Sequence, residues 1–246
     1  MSATKKTTVL TTVTLGVLLL AQGSALAGGW GPFFGWAREE PTLSAPDFLS
    51  ATLDADLPPF VEQAIEDADL DFELDHWTVG LLFDSAPYRD AVVNHRFAIG
   101  FDIISETRLE DIDIPGVVTD FRESDLDEDG YGIAARYALG IGLLRNEGFR
   151  WWAGPSVGVS WNHYDLENDA EAETFSGGGG AETGINLHLG SAASITVSGG
   201  FHWRAVGYGA GVNEVGDYNW GDGPFYFIQA GLLFHTGSDR APATID

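Results

Sequence analysis

Three groups of residues in this chain are of types that do chemistry. The run Asp125-Leu-Asp-Glu-Asp-Gly130 carries Asp125, Asp127 and Asp129 at the alternate spacing that opens an EF-hand calcium loop. Ser160, His163 and Asp165 supply a nucleophile, a base and a carboxylate close together in sequence. The third group is a scatter of isolated polar and charged residues amid small or apolar ones: Arg96, Asp102, Arg136, Arg150, Glu182, His188, His202, Arg204 and Gln229.

The first two groups do not complete their motifs. An EF-hand needs a bidentate Glu at its twelfth position, here Arg136, and a helix on each side. Ca²⁺ or Mg²⁺ at Asp125, Asp127 and Asp129 is therefore expected only as weak binding in an acidic loop, and no cofactor is expected. Ser160 and His163 lie an odd number of positions apart, so in a strand they point to opposite faces. Catalysis, in the style of a lipid-modifying enzyme, is the lesser alternative. The stretch Ser176-Gly-Gly-Gly-Gly180 lacks the Lys-Ser/Thr ending of a phosphate loop and reads as a flexible or sharply bent strand.

The elements that carry these residues are strands. From Tyr131 to Leu143 the odd positions are Tyr, Ile, Ala, Tyr, Leu, Ile and Leu, while the even ones are Gly, Ala and a single Arg. A period of two over that length is a long strand. Phe149 to Asn162 repeats it, with Trp151 and Trp161 near opposite ends of the apolar face. Five more segments alternate likewise, at Trp77–Phe83, Arg96–Ile103, Ala181–Leu189, Ile195–Arg204 and Tyr226–Phe234. A soluble sandwich turns its large apolar face inward and a charged face to water. Here the second face is mostly Gly, Ala and Ser with isolated charges, which suits the cramped interior of a narrow barrel whose apolar face meets lipid.

Composition agrees. Met1 to Ala27 has a Lys5-Lys6 n-region, an apolar run and an Ala25-Leu-Ala27 cleavage pattern, the layout of a secretory signal peptide. Of 12 basic residues two are in this leader, so 12 − 2 = 10 remain, all Arg, against 37 acidic ones, a formal charge of −27. Such acidity excludes nucleic acid as a partner. Cys is absent, which removes disulfides and thiolate metal sites. Connections alternate short (Ser85–Ala91, Arg145–Gly148, Gly190–Ser194) and long (Ser105–Asp129, Tyr164–Glu173, Gly207–Gly223), as periplasmic turns and extracellular loops do.

The leader, these strands and the terminal Gln229-Ala-Gly-Leu-Leu-Phe234 resemble small outer-membrane β-barrel proteins of the OmpA/OmpX/OmpW-like type. The resemblance implies an all-β, transmembrane up-and-down antiparallel barrel in the cell outer membrane. Outer-membrane lipid or lipopolysaccharide would surround it, as a monomer. Gln229, Gly231 and Phe234 resemble the last-strand signal read by the barrel-assembly machinery, although Thr236 and a polar tail over 237–246 depart from it. Barrels of this kind have an even strand number. Parity therefore asks for an eighth strand, and Gly28 to Ala37 is the candidate, with Pro32 tolerable only at an edge or bulge. Residues 28–75 otherwise read as an acidic insertion with a short helix near Phe60–Ala68, and Asp69–Asp75 as a strand rising above the membrane; the barrel proper reads as 76–236. The isolated charges become a lumen network of Arg–carboxylate pairs. The expected role is structural or surface-interacting, with a narrow pore for ions or small solutes as the alternative.

Overall fold

The computed structural model describes residues 28–44, 69–87, 92–113, 124–126, 129–165, 171–210 and 219–236. The leader, the expected helix and the C-terminal tail lie outside them. Among the described residues there are ten strands: β1 (Gly28–Glu39), β2 (Thr42–Ser44), β3 (Asp69–Asp84), β4 (Val93–Asp113), β5 (Ser124–Leu126), β6 (Asp129–Arg145), β7 (Phe149–Asp165), β8 (Glu171–His188), β9 (Ala193–Ala210) and β10 (Asn219–Thr236). Each long strand pairs antiparallel with the next, and β1 pairs with β10 from Gly28↔Thr236 to Glu39↔Phe225. The ring is closed. Strand β2 pairs with β10 and β3, the neighbours of β1, and β5 pairs with β4, as β6 does. They continue β1 and β6 past short breaks, so the barrel has eight staves.

The eighth strand predicted by parity is therefore β1, and it is central to the closure. Its Pro32 sits inside the strand rather than at an edge. The ladder to β10 skips Gly31 and Pro32 and resumes in unchanged register, so the missing N–H falls in a gap. The same device recurs in β7, where the ladder to β6 skips Gly154 and Pro155. At both places the neighbouring carbonyl moves in. A Cβ on Gly31 would lie 1.8 Å from the Leu232 carbonyl oxygen, and one on Gly154 1.8 Å from that of Leu139. The Gly-Pro pairs are thus matched to close backbone approach. By contrast, Ser176–Gly180 carries no bulge, since β8 keeps register with both neighbours throughout.

The strands are longer than alternation of apolar residues suggested. The first part of the presumed loop Ser105–Asp129, residues 105–113, is the upper part of β4, and β3 begins at Asp69. A strand needs about 9–11 residues to cross a bilayer, whereas β3 has 16 and β4 has 21. The excess rises above the membrane as a skirt. The start of β1, the end of β10 and the short connections share the opposite end, because Gly28 pairs with Thr236 and Gly29 with Asp84.

Around the lower part, large apolar side chains point outward: Trp30, Phe34, Val79, Leu81, Ile99, Phe101, Ile133, Val157, Phe201 and Ile228 are all exposed. Such a continuous apolar belt has no stable place in water, so this part of the wall spans a membrane. Aromatic pairs brace it, with Phe34 stacked on Trp77 at 5.1 Å and Phe201 against Tyr226 at 5.4 Å. Above the belt the pattern reverses. On β3, Leu70, Phe72 and Leu74 turn inward and are buried, while Asp69, Asp71, Glu73 and Asp75 take the outward positions. Strand β4 follows by a register shift between the pairs Asp75↔Glu106 and His76↔Ile104, where Ser105 is the extra residue. Arg38 from β1 and Arg108 from β4 clasp the acids. Arg38 binds Asp75 through two nitrogens at 2.9 and 3.0 Å and Glu73 at 2.7 Å, and Arg108 meets Glu73 at 3.0 Å.

A sealed polar lumen below an apolar vestibule

Inward positions stack in three layers from the periplasmic end upward. The lowest is built on Asp84. Its carboxylate receives the Arg96 guanidinium at 3.0 Å, both Asn94 contacts at 3.0 Å, Asn186 at 3.3 Å and the Ala86 N–H at 3.0 Å. Arg96 also donates to Asn186 and Thr196, and Arg150 donates to Asn94 Oδ1 at 2.9 Å. The Trp152 ring lies under Arg96 at 4.3 Å. Asp84, Asn94, Arg150, Trp152 and Asn186 are all 0% exposed. This layer is a floor. Below it, Ser194 Oγ stands 3.0 Å from His188 Nδ1 and 2.8 Å from His235 Nε2.

The middle layer holds Arg136, whose guanidinium donates to Gln229 Oε1 and pairs with Glu182 at 3.4 Å. Ser198 donates to Glu182 at 2.8 Å and accepts from Gln229 at 2.9 Å. Ser156 meets His202 Nε2 at 2.7 Å, and Thr78 donates to Asp102. Arg204 reaches Glu39 at 3.5 Å and also Ser160 and Ser176. Arg136 lies over Phe227 at 3.6 Å and Arg204 over Phe225 at 3.3 Å. With the floor included, Arg96, Arg136, Arg150 and Arg204 stand against Glu39, Asp84, Asp102 and Glu182, so the interior is balanced in charge while the whole chain is strongly acidic. That balance is what makes a low-dielectric charged interior tolerable. Beside Arg136, the small residues Gly35, Ala98, Gly100 and Ala134 leave a small space that His76, Asp102 and Arg204 also line.

The upper layer is apolar. Leu43, Phe72, Leu74, Tyr164, Val206 and Tyr208 enclose a vestibule inside the skirt, with Glu39, Thr107 and Thr174 as its polar lining.

Of the residues singled out from sequence, Arg96, Asp102, Arg136, Arg150, Glu182, His202, Arg204 and Gln229 meet in the lumen. His188 stands apart at the periplasmic mouth. Gln229 works in the network of Arg136 and Glu182, Gly231 packs beside Phe33, and Phe234 faces outward against Trp30 at 6.4 Å. Ser160 and His163 are not brought together. Ser160 is buried with Ser176 and Arg204, whereas His163 lies between Tyr131 and Trp161 on the outer wall. Asp125 belongs to β5, opposite Arg108, and Asp129 opens β6 opposite Asp165. Asp127 lies outside the described residues. At Asp125 and Asp129 the backbone runs in the ladder.

The sequence reading missed Glu39, His76, Asp84, Asn94 and Asn186, which complete the layers. The signal was parity: each falls on the inward phase of its strand, Asn186 inside the alternating segment Ala181–Leu189 and the others one or two positions beyond where apolar alternation fades.

No protein-family model matches the sequence, and no curated protein matches it. Among solved structures the chain is similar to the outer membrane protein OprG from Pseudomonas aeruginosa, at 13% identity and TM-score 0.44, covering 87% of this chain and 98% of that one. It is also similar to Neisserial surface protein A, at 12% identity and TM-score 0.35 over 83% and 96% of the two chains. The outer membrane protease OmpT from Escherichia coli is similar at 11% identity and TM-score 0.35, over 85% and 95%. The barrel described above rests on its own closed ladder and apolar belt.

Proposed function

We propose that the chain is an outer-membrane barrel that serves as a closed, anchored scaffold, presenting its acidic skirt and loops at the cell surface rather than conducting solutes. The observation that carries this reading is the floor around Asp84, where Trp152, Arg150, Asn94 and Asn186 cross the lumen with no exposed surface. An eight-stranded interior is just wide enough for side chains to fill it, and here Asp84 gathers hydrogen bonds from Arg96, Asn94 and Asn186 across it. Lipopolysaccharide is the surrounding lipid on this reading, and Gln229, Gly231 and Phe234 form the stretch presented to the assembly machinery. The test is single-channel recording of the purified full chain in planar bilayers. Silence across a wide voltage range is expected, and reproducible unitary steps would replace the scaffold with the narrow-pore reading.

A lipid-modifying activity has less support, because the sequence-adjacent Ser160 and His163 are on opposite faces of β7. Mass spectrometry of lipid A from cells overexpressing the chain tests it. An altered acyl pattern that disappears in Ser160→Ala would restore it.

A further inference from the structure

The lipid belt is not of even height. On β1 the outward aromatics that bracket it are Trp30 and Trp36, six residue steps apart, and on β3 they are Phe83 and Trp77, also six. Trp30 pairs with Phe83 and Trp36 with Trp77, so the two strands form one short sector. On β7, four staves away around the ring, Trp151 and Trp161 stand ten steps apart. On β6 and β8, either side of β7, uncharged outward positions run for twelve steps, from Tyr131 to Leu143 and from Phe175 to Leu187. At about 3.3 Å per residue and a tilt of about 45°, six steps span about 14 Å and ten to twelve about 23–28 Å. The apolar band of an outer-membrane barrel is about 25 Å tall. The β6–β8 wall therefore matches the bilayer, whereas the β1–β3 wall falls short by about 11 Å.

Nothing at the ends of the short sector extends it. The next outward residues above are Arg38 and Asp75, hydrogen-bonded to each other. Below, β1 begins at Gly28 and β3 ends at Asp84. A bilayer of undisturbed thickness would submerge the clasp of Arg38, Asp75 and Glu73 in hydrocarbon, where charge on the lipid face is costly. Tilting the barrel moves both ends of a sector together and lengthens neither. Snorkelling does not help, because the Arg38 guanidinium is held by Asp75 and Glu73 and carboxylate side chains are too short to reach away. The remaining response to a short apolar span is a thinner bilayer, at a modest cost for each ångström.

We infer that the β1–β3 wall holds a locally thinned annulus of lipid, while the β6–β8 wall sits in bilayer of ordinary thickness. The partner of this surface is the acyl-chain region of the membrane, compressed here by about 11 Å across both leaflets. The inference goes beyond the scaffold reading and does not depend on it, because a conducting lumen would have the same outer wall.

The chain has no Cys, so single cysteines carry a nitroxide label without background. Trp77→Cys and Phe83→Cys bracket the short sector, and Trp161→Cys and Trp151→Cys the tall one. Each labelled full chain is folded into dioleoylphosphatidylcholine vesicles, and depth is read by power-saturation EPR with oxygen and a nickel chelate. All four labels are expected at the same interfacial depth, although one pair is little more than half as far apart along its strand. Labels at 77 and 83 that both read about 5 Å deeper than those at 161 and 151 indicate a bilayer of uniform thickness and overturn the inference. One shallow and one deep label in the short sector indicate a tilted barrel and overturn it too. So does spin–spin broadening with loss of oxygen contact at 77 and 83, which places a second copy of the chain on this wall. Trp36→Cys and Trp30→Cys repeat the measurement on β1 in case the β3 variants fail to fold, and heat-dependent electrophoretic mobility shows which variants form closed barrels.

Discussion

Strand β3 runs through two regions that use one alternation in opposite senses. Below Trp77 its odd positions are Val79, Leu81 and Phe83, which face lipid, and its even positions include Thr78, Gly80 and the buried Asp84. Above Trp77 the odd positions are Asp69, Asp71, Glu73 and Asp75, and the even ones are Leu70, Phe72 and Leu74. The phase of the strand does not change; the solvent outside it does. In the bilayer an apolar side chain gains little by turning inward, because lipid is as apolar as a core, so the interior admits a network of hydrogen-bonded polar groups beside the small apolar cluster of Phe33, Leu82, Ala98 and Leu233. In water the hydrophobic effect returns, and the same wall becomes that of an ordinary apolar core.

Mutations can break this comparison, and the largest effect is expected at the floor. Asp84→Ala leaves Arg96 buried without its carboxylate and should cost about 3–5 kcal/mol, read from urea unfolding in detergent micelles. A loss under 1 kcal/mol would show that water already solvates the floor. Next, Phe72→Ala removes an inward ring from the skirt core and should cost about 3 kcal/mol. Phe34→Ala in the lipid belt should cost clearly less, because lipid fills the space. Equal losses in the same unfolding assay would erase the distinction between the two regions.

The third pair reverses the sign of the test. Val79→Arg places a charge on the lipid face and should cost about 2–4 kcal/mol. Asp69→Arg, on the same outward phase but in the skirt, should stay within about 0.5 kcal/mol. The smallest effect is at the clasp. Arg38→Ala should cost at most about 1 kcal/mol, and less at high salt. The hydrogen bond to Asp75 raises the Arg38 pKa further above its already high ordinary value, with the carboxylates of Asp75 and Glu73 adding to it. A group raised in this way loses its contribution only as pH rises through the folded value. Stability from the clasp should therefore be flat from neutral pH to pH 10, and a fall by pH 10 specific to the Arg38-containing protein would contradict it.

Much of this was legible in the sequence because lipid-facing strands announce themselves. Trp77 to Phe83, Tyr131 to Leu143 and Phe149 to Asn162 alternate with large apolar residues on one phase, and parity of strand number pointed to Gly28–Ala37 before any coordinates. The upper halves of β4, β8, β9 and β10 were harder to see. There the outward phase is polar, as at Glu106 and Arg108 of β4 and Glu173 of β8, or small, as at Ala205, Gly207 and Gly209 of β9, so the segments read as loops, although the ladder continues through them. Asp84 was missed for the same reason, since it stands one residue past the last apolar position of β3. The polar residues of the lumen could be named singly but not paired. Arg96 bonds to Thr196 and Asn186, Gln229 to Ser198, and Arg204 to Glu39, across separations that no local pattern encodes.

The sequence alone determined the all-β class and the face of each membrane strand, because both depend on residue type and a period of two. The tertiary structure decided where the strands end, which charges meet, that the floor rests on Asp84 and that an apolar vestibule stands above it. Those outcomes depend on register around a closed ring. Antiparallel pairing fixes the levels of eight strands against one another, and a shift of one residue in any of them would send its inward side chains to the other face.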